Sequence, residues 1–225
     1  MNNKQSVFID PVALREDVSI IAKDVSALKQ YLREHPKEPY ATPQLIDEEL
    51  PKSIMVIRTY KGHKESLITV INPQIMERID KFAVEETQAQ VEGTYLNIRH
   101  PKILVSYLAL PGATPVTITL QGKAAILFQQ ACHLLQGIPI SLLGLRVDNY
   151  PEYQNGTEEE RMKIVEGYIE ALKEIYDQFT EDNEVKDYVA AAEFLSEKMK
   201  RSIDEEIKET IEKVKQEEEA VEKVQ

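Results

Sequence analysis

Four runs in the first half of the chain have a strand-like hydrophobic pattern: "SIMVIRT" (53–59), "SLITVINPQIM" (66–76), "KILVSYLAL" (102–110) and "PVTITL" (115–120). They are rich in Val, Ile, Thr and Tyr and are bounded by Pro and Gly. The turn text "LPGATP" between the last two predicts an antiparallel hairpin. Before them, "DPVALREDVSIIAKDVSALKQYLREH" reads as one helix or two short ones, with Asp10 as N-cap and Pro11 at the first helical position. After them, "KAAILFQQACHLLQ" (123–136) is apolar around most of its circumference and predicts a helix buried on most sides. Gly137 ends it and Pro139 blocks its continuation.

From Thr157 the pattern becomes helical. Met162, Val165, Ile169, Leu172, Tyr176 and Phe179 recur at three- and four-residue steps, which places them on one stripe. "TEDNE" (180–184) breaks this helix. A second is predicted through Tyr188, Phe194 and Met199, and a third from Ser202 through Ile203, Ile207, Ile211 and Val214. Asn155-Gly156 marks the expected junction. The reading is therefore an α+β domain over 1–150 and a helical extension of about three helices over 157–225.

Charge sharpens that division. Of the net −12, the stretch from Thr157 onward carries 22 acidic and 11 basic residues, while residues 1–156 carry 17 and 16. The acidic part reads as a solvated helix face and disfavours binding to nucleic acid phosphates. No apolar run approaches the roughly 18 residues of a membrane span. The N-terminus "MNNKQSVFID" lacks an export pattern, so a cytoplasmic location is expected. A single cysteine, Cys132, excludes an internal disulfide and a Cys₄ or Cys₂His₂ zinc site. Cys132 and His133 are adjacent, about 100° apart on a helix, and cannot both face one metal. They read as a small core residue and a hydrogen-bonded packing residue. His35, His63 and His100 are scattered in loop-like text and read as surface residues.

Three segments, in order, carry a resemblance: "PYATPQL" (39–45), "EGTYL" (92–96) and "QQACHLLQG" (129–137), with "INPQI" (71–75) and "RHP" (99–101) between them. Over roughly residues 7–145 the chain resembles peptide deformylase, which removes the formyl group from nascent bacterial peptides. That family has a Gly-rich turn ending in Ala-Ala-x-Gln, then Glu-Gly-Cys-Leu-Ser, then Gln-His-Glu-x-x-His followed by Leu-x-Gly. The resemblance implies antiparallel sheets around a buried central helix. Ala41, Gln44, Glu92, Gly93, Gln129, Leu135 and Gly137 match the motifs.

The family's chemistry needs a divalent metal on one thiolate and two histidines, with a glutamate to move the proton of the bound water. Carried across, the cysteine becomes Thr94, the first histidine Gln130, the glutamate Ala131 and the second histidine Leu134. Gln44 alone remains of the catalytic set; in the family it donates to the developing oxyanion. The resemblance therefore implies no metal, no cofactor and no catalysis. It implies a deformylase-like domain reused as a protein-interaction or structural module, with protein partners meeting the C-terminal helices. A degenerate copy with a new extension suits a bacteriophage component, which would place it in the virion. The alternatives are a protein that binds peptide in the old cleft, with 92–97 as the pairing strand, and a hydrolase using Cys132.

Overall fold

The computed structural model describes residues 4–46 and 51–179. The elements are α1 (Pro11–Glu16), α2 (Ala22–Glu34), β1 (Tyr40–Ala41), β2 (Ile54–Lys61), β3 (Lys64–Ile79), β4 (Phe82–Gln88), β5 (Val91–Arg99), β6 (Lys102–Ala109), β7 (Thr114–Gln121), α3 (Lys123–Leu135), α4 (Ile140–Leu143), β8 (Leu145–Arg146), α5 (Pro151–Asn155) and α6 (Glu158–Phe179). The predicted N-terminal helix is broken. Asp10 caps α1 by accepting from the Val12 amide, and Asp17 then caps a 3₁₀ turn over Val18–Ile21 before α2 begins.

A five-stranded antiparallel sheet, in the order β1-β2-β3-β6-β7, lies between helices. The two-residue period of β2 sends its side chains to opposite faces. Ile54 and Val56 join Leu14, Leu28 and Leu32 of α1 and α2 in one core, while Met55 joins Phe128, Ala131 and Leu134 of α3 in the other. All of these but Phe128 are completely buried, and each of the larger side chains contributes about 1.5–3 kcal/mol through removal from water. The hairpin read from "LPGATP" is β6–β7, paired antiparallel from Lys102↔Gln121 to Ala109↔Thr114. A second sheet, β4-β5-β8, goes beyond the sequence reading. Residues 82–88 carry no strand pattern in the sequence, and β5 shows there only as the strand-like text around "EGTYL".

The two neighbours of β3 are staggered. β2 pairs with its first half, Lys64–Ile71, and β6 with Val70–Ile79. Beyond Ile71, one edge of β3 therefore carries no strand among the described residues. The N-terminal segment runs past this end. Val7 bridges Lys52 in parallel, and the Asn72 side chain stitches Ile9, accepting from its amide at 3.0 Å and donating to its carbonyl at 2.7 Å.

The chain divides into two compact units, residues 1–165 and 166–225. The division falls inside α6, later than the expected junction at Asn155-Gly156, because α5 and the first turn of α6 are tied into the first unit. Tyr153 donates to Glu85 at 2.9 Å, and Arg161 donates to the Gln154 carbonyl at 2.9 Å. Thr157 and Glu160 form a capping box that starts α6: the Thr hydroxyl accepts from the Glu160 amide and the Glu carboxylate accepts from the Thr157 amide. The buried positions of α6 are Tyr168 and Leu172, whereas Met162 of the expected stripe is 56% exposed. The second unit is described over 166–179, and the helices predicted from Tyr188 and Ser202 lie outside the described residues. No helix among the described residues is long and apolar enough to cross a membrane.

Candidate functional site

The candidate site is built on α3, which is held at its middle and at its C-terminal end. At its middle, the Gln129 side chain accepts from the His100 amide at 2.9 Å and donates to the His100 carbonyl at 2.8 Å, so it mimics a strand partner at the end of β5. At its end Gly137 adopts φ +79°, the left-handed conformation that glycine takes without strain. The Gly137 amide bonds the Leu134 carbonyl and the Ile138 amide bonds the His133 carbonyl, which closes the helix in a Schellman motif. The Leu135 carbonyl is left to accept from the Ser6 amide at 2.7 Å.

Gln130, Ala131 and Leu134 are all buried. Gln130 donates to the Thr87 carbonyl at 3.1 Å, and Ala131 and Leu134 pack in the core with Met55 and Val105. Thr94 is not brought to them. Its amide donates to the Asp148 carboxylate, and the turn of chain there depends on Gly93 at φ +101°, where a Cβ would stand 2.6 Å from Arg146 Nε. Strand alternation gives the reason. Arg99 touches α3 through His133, and Thr94, five residues away on the same strand, points to the other face. The segment that meets the helix is the end of β4, where the Thr87 carbonyl accepts from the Gln130 side chain, and next to it stands Gln88. It is buried, donates to Tyr40 Oη at 3.1 Å and accepts from the Ile140 amide at 3.1 Å.

Gln44 is fully buried; its Nε2 is committed, while its Oε1 is buried without a hydrogen-bond partner. Nε2 donates to Ser6 Oγ at 2.9 Å and to the Lys4 carbonyl at 3.0 Å, with the Leu135 carbonyl at 3.3 Å. It fastens the N-terminal segment to the end of α3.

The strongest electrostatic feature lies on the other side of α3. Glu86 of β4 and Arg99 of β5 form a bidentate pair at 2.7 and 2.6 Å, with side chains 4% and 2% exposed. Arg99 also donates to His133 Nδ1 at 3.0 Å. That bond fixes the neutral imidazole with its proton on Nε2. Burial, with the nearby charges of Arg99 and Arg78, holds the His133 pKa well below its usual value. Burial pushes the Cys132 thiol up to about 12, so it is no thiolate at neutral pH. Both residues thus behave as the sequence suggested. His100 is bonded through Nδ1 to the Asp80 carbonyl and is half-buried rather than free on the surface.

The family profile of the polypeptide deformylases matches residues 10–141, more than half of the chain. The chain belongs to that family. Among solved structures, a class I type b peptide deformylase from Acinetobacter baumannii superposes with a TM-score of 0.51 at 19% identity, covering 61% of this chain and 89% of its own. A probable peptide deformylase from Synechococcus phage S-SSM7 gives a TM-score of 0.50 at 18% identity, covering 61% and 87%. Likeness at this identity speaks for the fold. No curated protein matches the chain.

With the deformylase fold in place, the position of Gln88 changes the reading of the middle motif. Glu86-Thr87-Gln88 also matches the Glu-Gly-Cys order by its glutamate, and it lies against α3, which Thr94 does not. The sequence offered a signal for this choice: Glu86 and Arg99 are opposite charges on one face of a hairpin.

Proposed function

We propose that this deformylase domain does not deformylate and acts instead as a protein-interaction or structural module. The observation that carries this reading is the use of Gln130, Ala131 and Leu134 as packing and hydrogen-bonding residues. An amide, a methyl and an isobutyl group supply no thiolate, imidazole or carboxylate, and neither the amide of Gln88 nor the hydroxyl of Thr94 replaces a thiolate. These residues do not fit a divalent cation. Among the described residues no three His, Cys, Asp or Glu side chains are grouped to hold one.

Peptide binding in the old cleft is supported less well, because the Nε2 donors of Gln44 are spent on Lys4 and Ser6. The buried Cys132 thiol speaks against a cysteine hydrolase. A phage assembly role is compatible with this reading, since a phage protein is among the similar folds. Metal analysis of the purified chain, together with hydrolysis of formyl-Met peptides, tests the proposal. The expected result is neither stoichiometric metal nor turnover. Near-stoichiometric iron, nickel or zinc with hydrolysis overturns it.

A further inference from the structure

A groove of about 500 Å³ opens on the side of α3 away from Gln130 and Leu134. On this side it is walled by Cys132, His133 and Leu135 of α3 and by Gln136 just beyond the helix; at 100° per residue Cys132 lies about 160° from both of those positions, while His133 lies between them and the groove. One rim is the N-terminal segment with Phe8, 57% exposed; the other is the part of β3 that β2 leaves unpaired, with Met76, 60% exposed. Pro73–Ile79 is seven residues, about 23 Å of strand at roughly 3.3 Å per residue. Only the β6 side of this stretch is paired among the described residues, with bulges on either side of Gln74–Ile75, so its other edge keeps backbone N–H and C=O groups without a strand partner.

The charge of the groove is opposite to that of the chain. None of its thirteen lining residues is acidic, while the whole chain carries −12. Arg78 is exposed on the rim and has no carboxylate partner among the described residues. His133, neutral through its bond to Arg99, keeps an Nε2–H donor. Glu77, between the groove residues of β3, is not among the lining.

We propose that this groove receives an extended segment of a partner protein, which adds a strand to the free edge of β3, sets an apolar side chain between Phe8 and Met76, and places a carboxylate on Arg78. An unpaired strand edge supplies main-chain bonds to any sequence, and the flanking pockets select the side chains. The guanidinium of Arg78 selects the acid. The surface lies away from the positions on which the proposed function rests, so either proposal can fail alone.

The test uses the full chain and an end-blocked peptide, Thr-Val-Phe-Val-Asp-Val-Thr, with Asn and Lys versions at the Asp position. Titration by fluorescence anisotropy is paired with hydrogen exchange of the backbone amides of 74–79. The Asp peptide is expected to bind at least tenfold tighter than the Lys peptide and to slow exchange across that stretch. Arg78→Glu, at an exposed position that folding tolerates, reverses the order of the two. Met76→Lys weakens all three peptides about tenfold. Absence of binding up to millimolar peptide, binding that ignores Arg78→Glu, or binding without slowed exchange at 74–79 overturns the proposal. Formyl-peptide hydrolysis measured on the same preparation bears only on the proposed function.

Discussion

Arg99→Met removes the cation of a buried pair and leaves Glu86 inside without its partner. Both side chains are nearly inaccessible, at 2% and 4%, and the two bonds between them are 2.7 and 2.6 Å. Breaking one side of such a pair costs about 3–5 kcal/mol, because the remaining charge keeps its desolvation penalty and loses its compensation. The mutation also strips the donor from His133 Nδ1, which adds roughly 1 kcal/mol. Against a typical total of about 5–15 kcal/mol, the loss removes from roughly a third to nearly all of the stability, and half-unfolds the variant only at the low end of that range. Urea denaturation followed by near-UV circular dichroism measures the difference, since ten tyrosines and no tryptophan report on the fold. The double variant Glu86→Leu/Arg99→Met removes both charges and should regain at least about 2 kcal/mol over Arg99→Met alone. A cost under about 1 kcal/mol for Arg99→Met, or strict additivity of the two substitutions, would refute the claim that the pair is a coupled unit sealed from water.

His133 makes stability depend on pH in one direction. Its folded pKa lies below the unfolded value, so the unfolded chain binds the extra proton, and stability is full above about pH 6.5 and declines below it by up to roughly 1.4 kcal/mol per pH unit. Urea titrations between pH 5 and 8 check this, and His133→Asn should flatten most of the slope. Asn72→Asp keeps the acceptor for the Ile9 amide and sets an oxygen against the Ile9 carbonyl that Asn72 Nδ2 now serves. A loss of about 2–3 kcal/mol is expected in denaturation at pH 7. A change below about 0.5 kcal/mol would mean that the N-terminal segment is not fastened there.

How much of this was legible in the sequence varied with what each element hides. β2, β3, β6 and β7 announce themselves because their buried faces are Ile, Val and Leu. β4 and β5 do not. Their inward residues include Glu86, Gln88, Asn97 and Arg99, polar and buried, so the alternation that marks a strand is blurred: β4 reads as loop text and β5 only as the strand-like text around "EGTYL". The same blurring put Thr94 in place of Gln88, because "EGTYL" offered a glycine and "EETQA" did not. The burial of α3, the stop at Gly137 and the inert setting of Cys132 and His133 followed from local composition and spacing. The partners of Gln44 could not be read, since Lys4, Ser6 and Leu135 lie about 40 and 91 residues away. In α6, Leu172 of the expected stripe is buried together with Tyr168 beside it, while Met162 at the start of the stripe is exposed.

Gln129 and Gly137 fix the helix at its middle and at its C-terminal end, by main-chain bonds to His100 and by the closing turn that hands the Leu135 carbonyl to Ser6. Neither mount passes through positions 130, 131 or 134. The tooling is therefore independent of the bracket that holds it. A fold built this way can lose a reaction in a few substitutions without a tremor in its backbone. It can also carry the emptied bracket indefinitely, because selection for stability acts on the mounts and is blind to what stood between them.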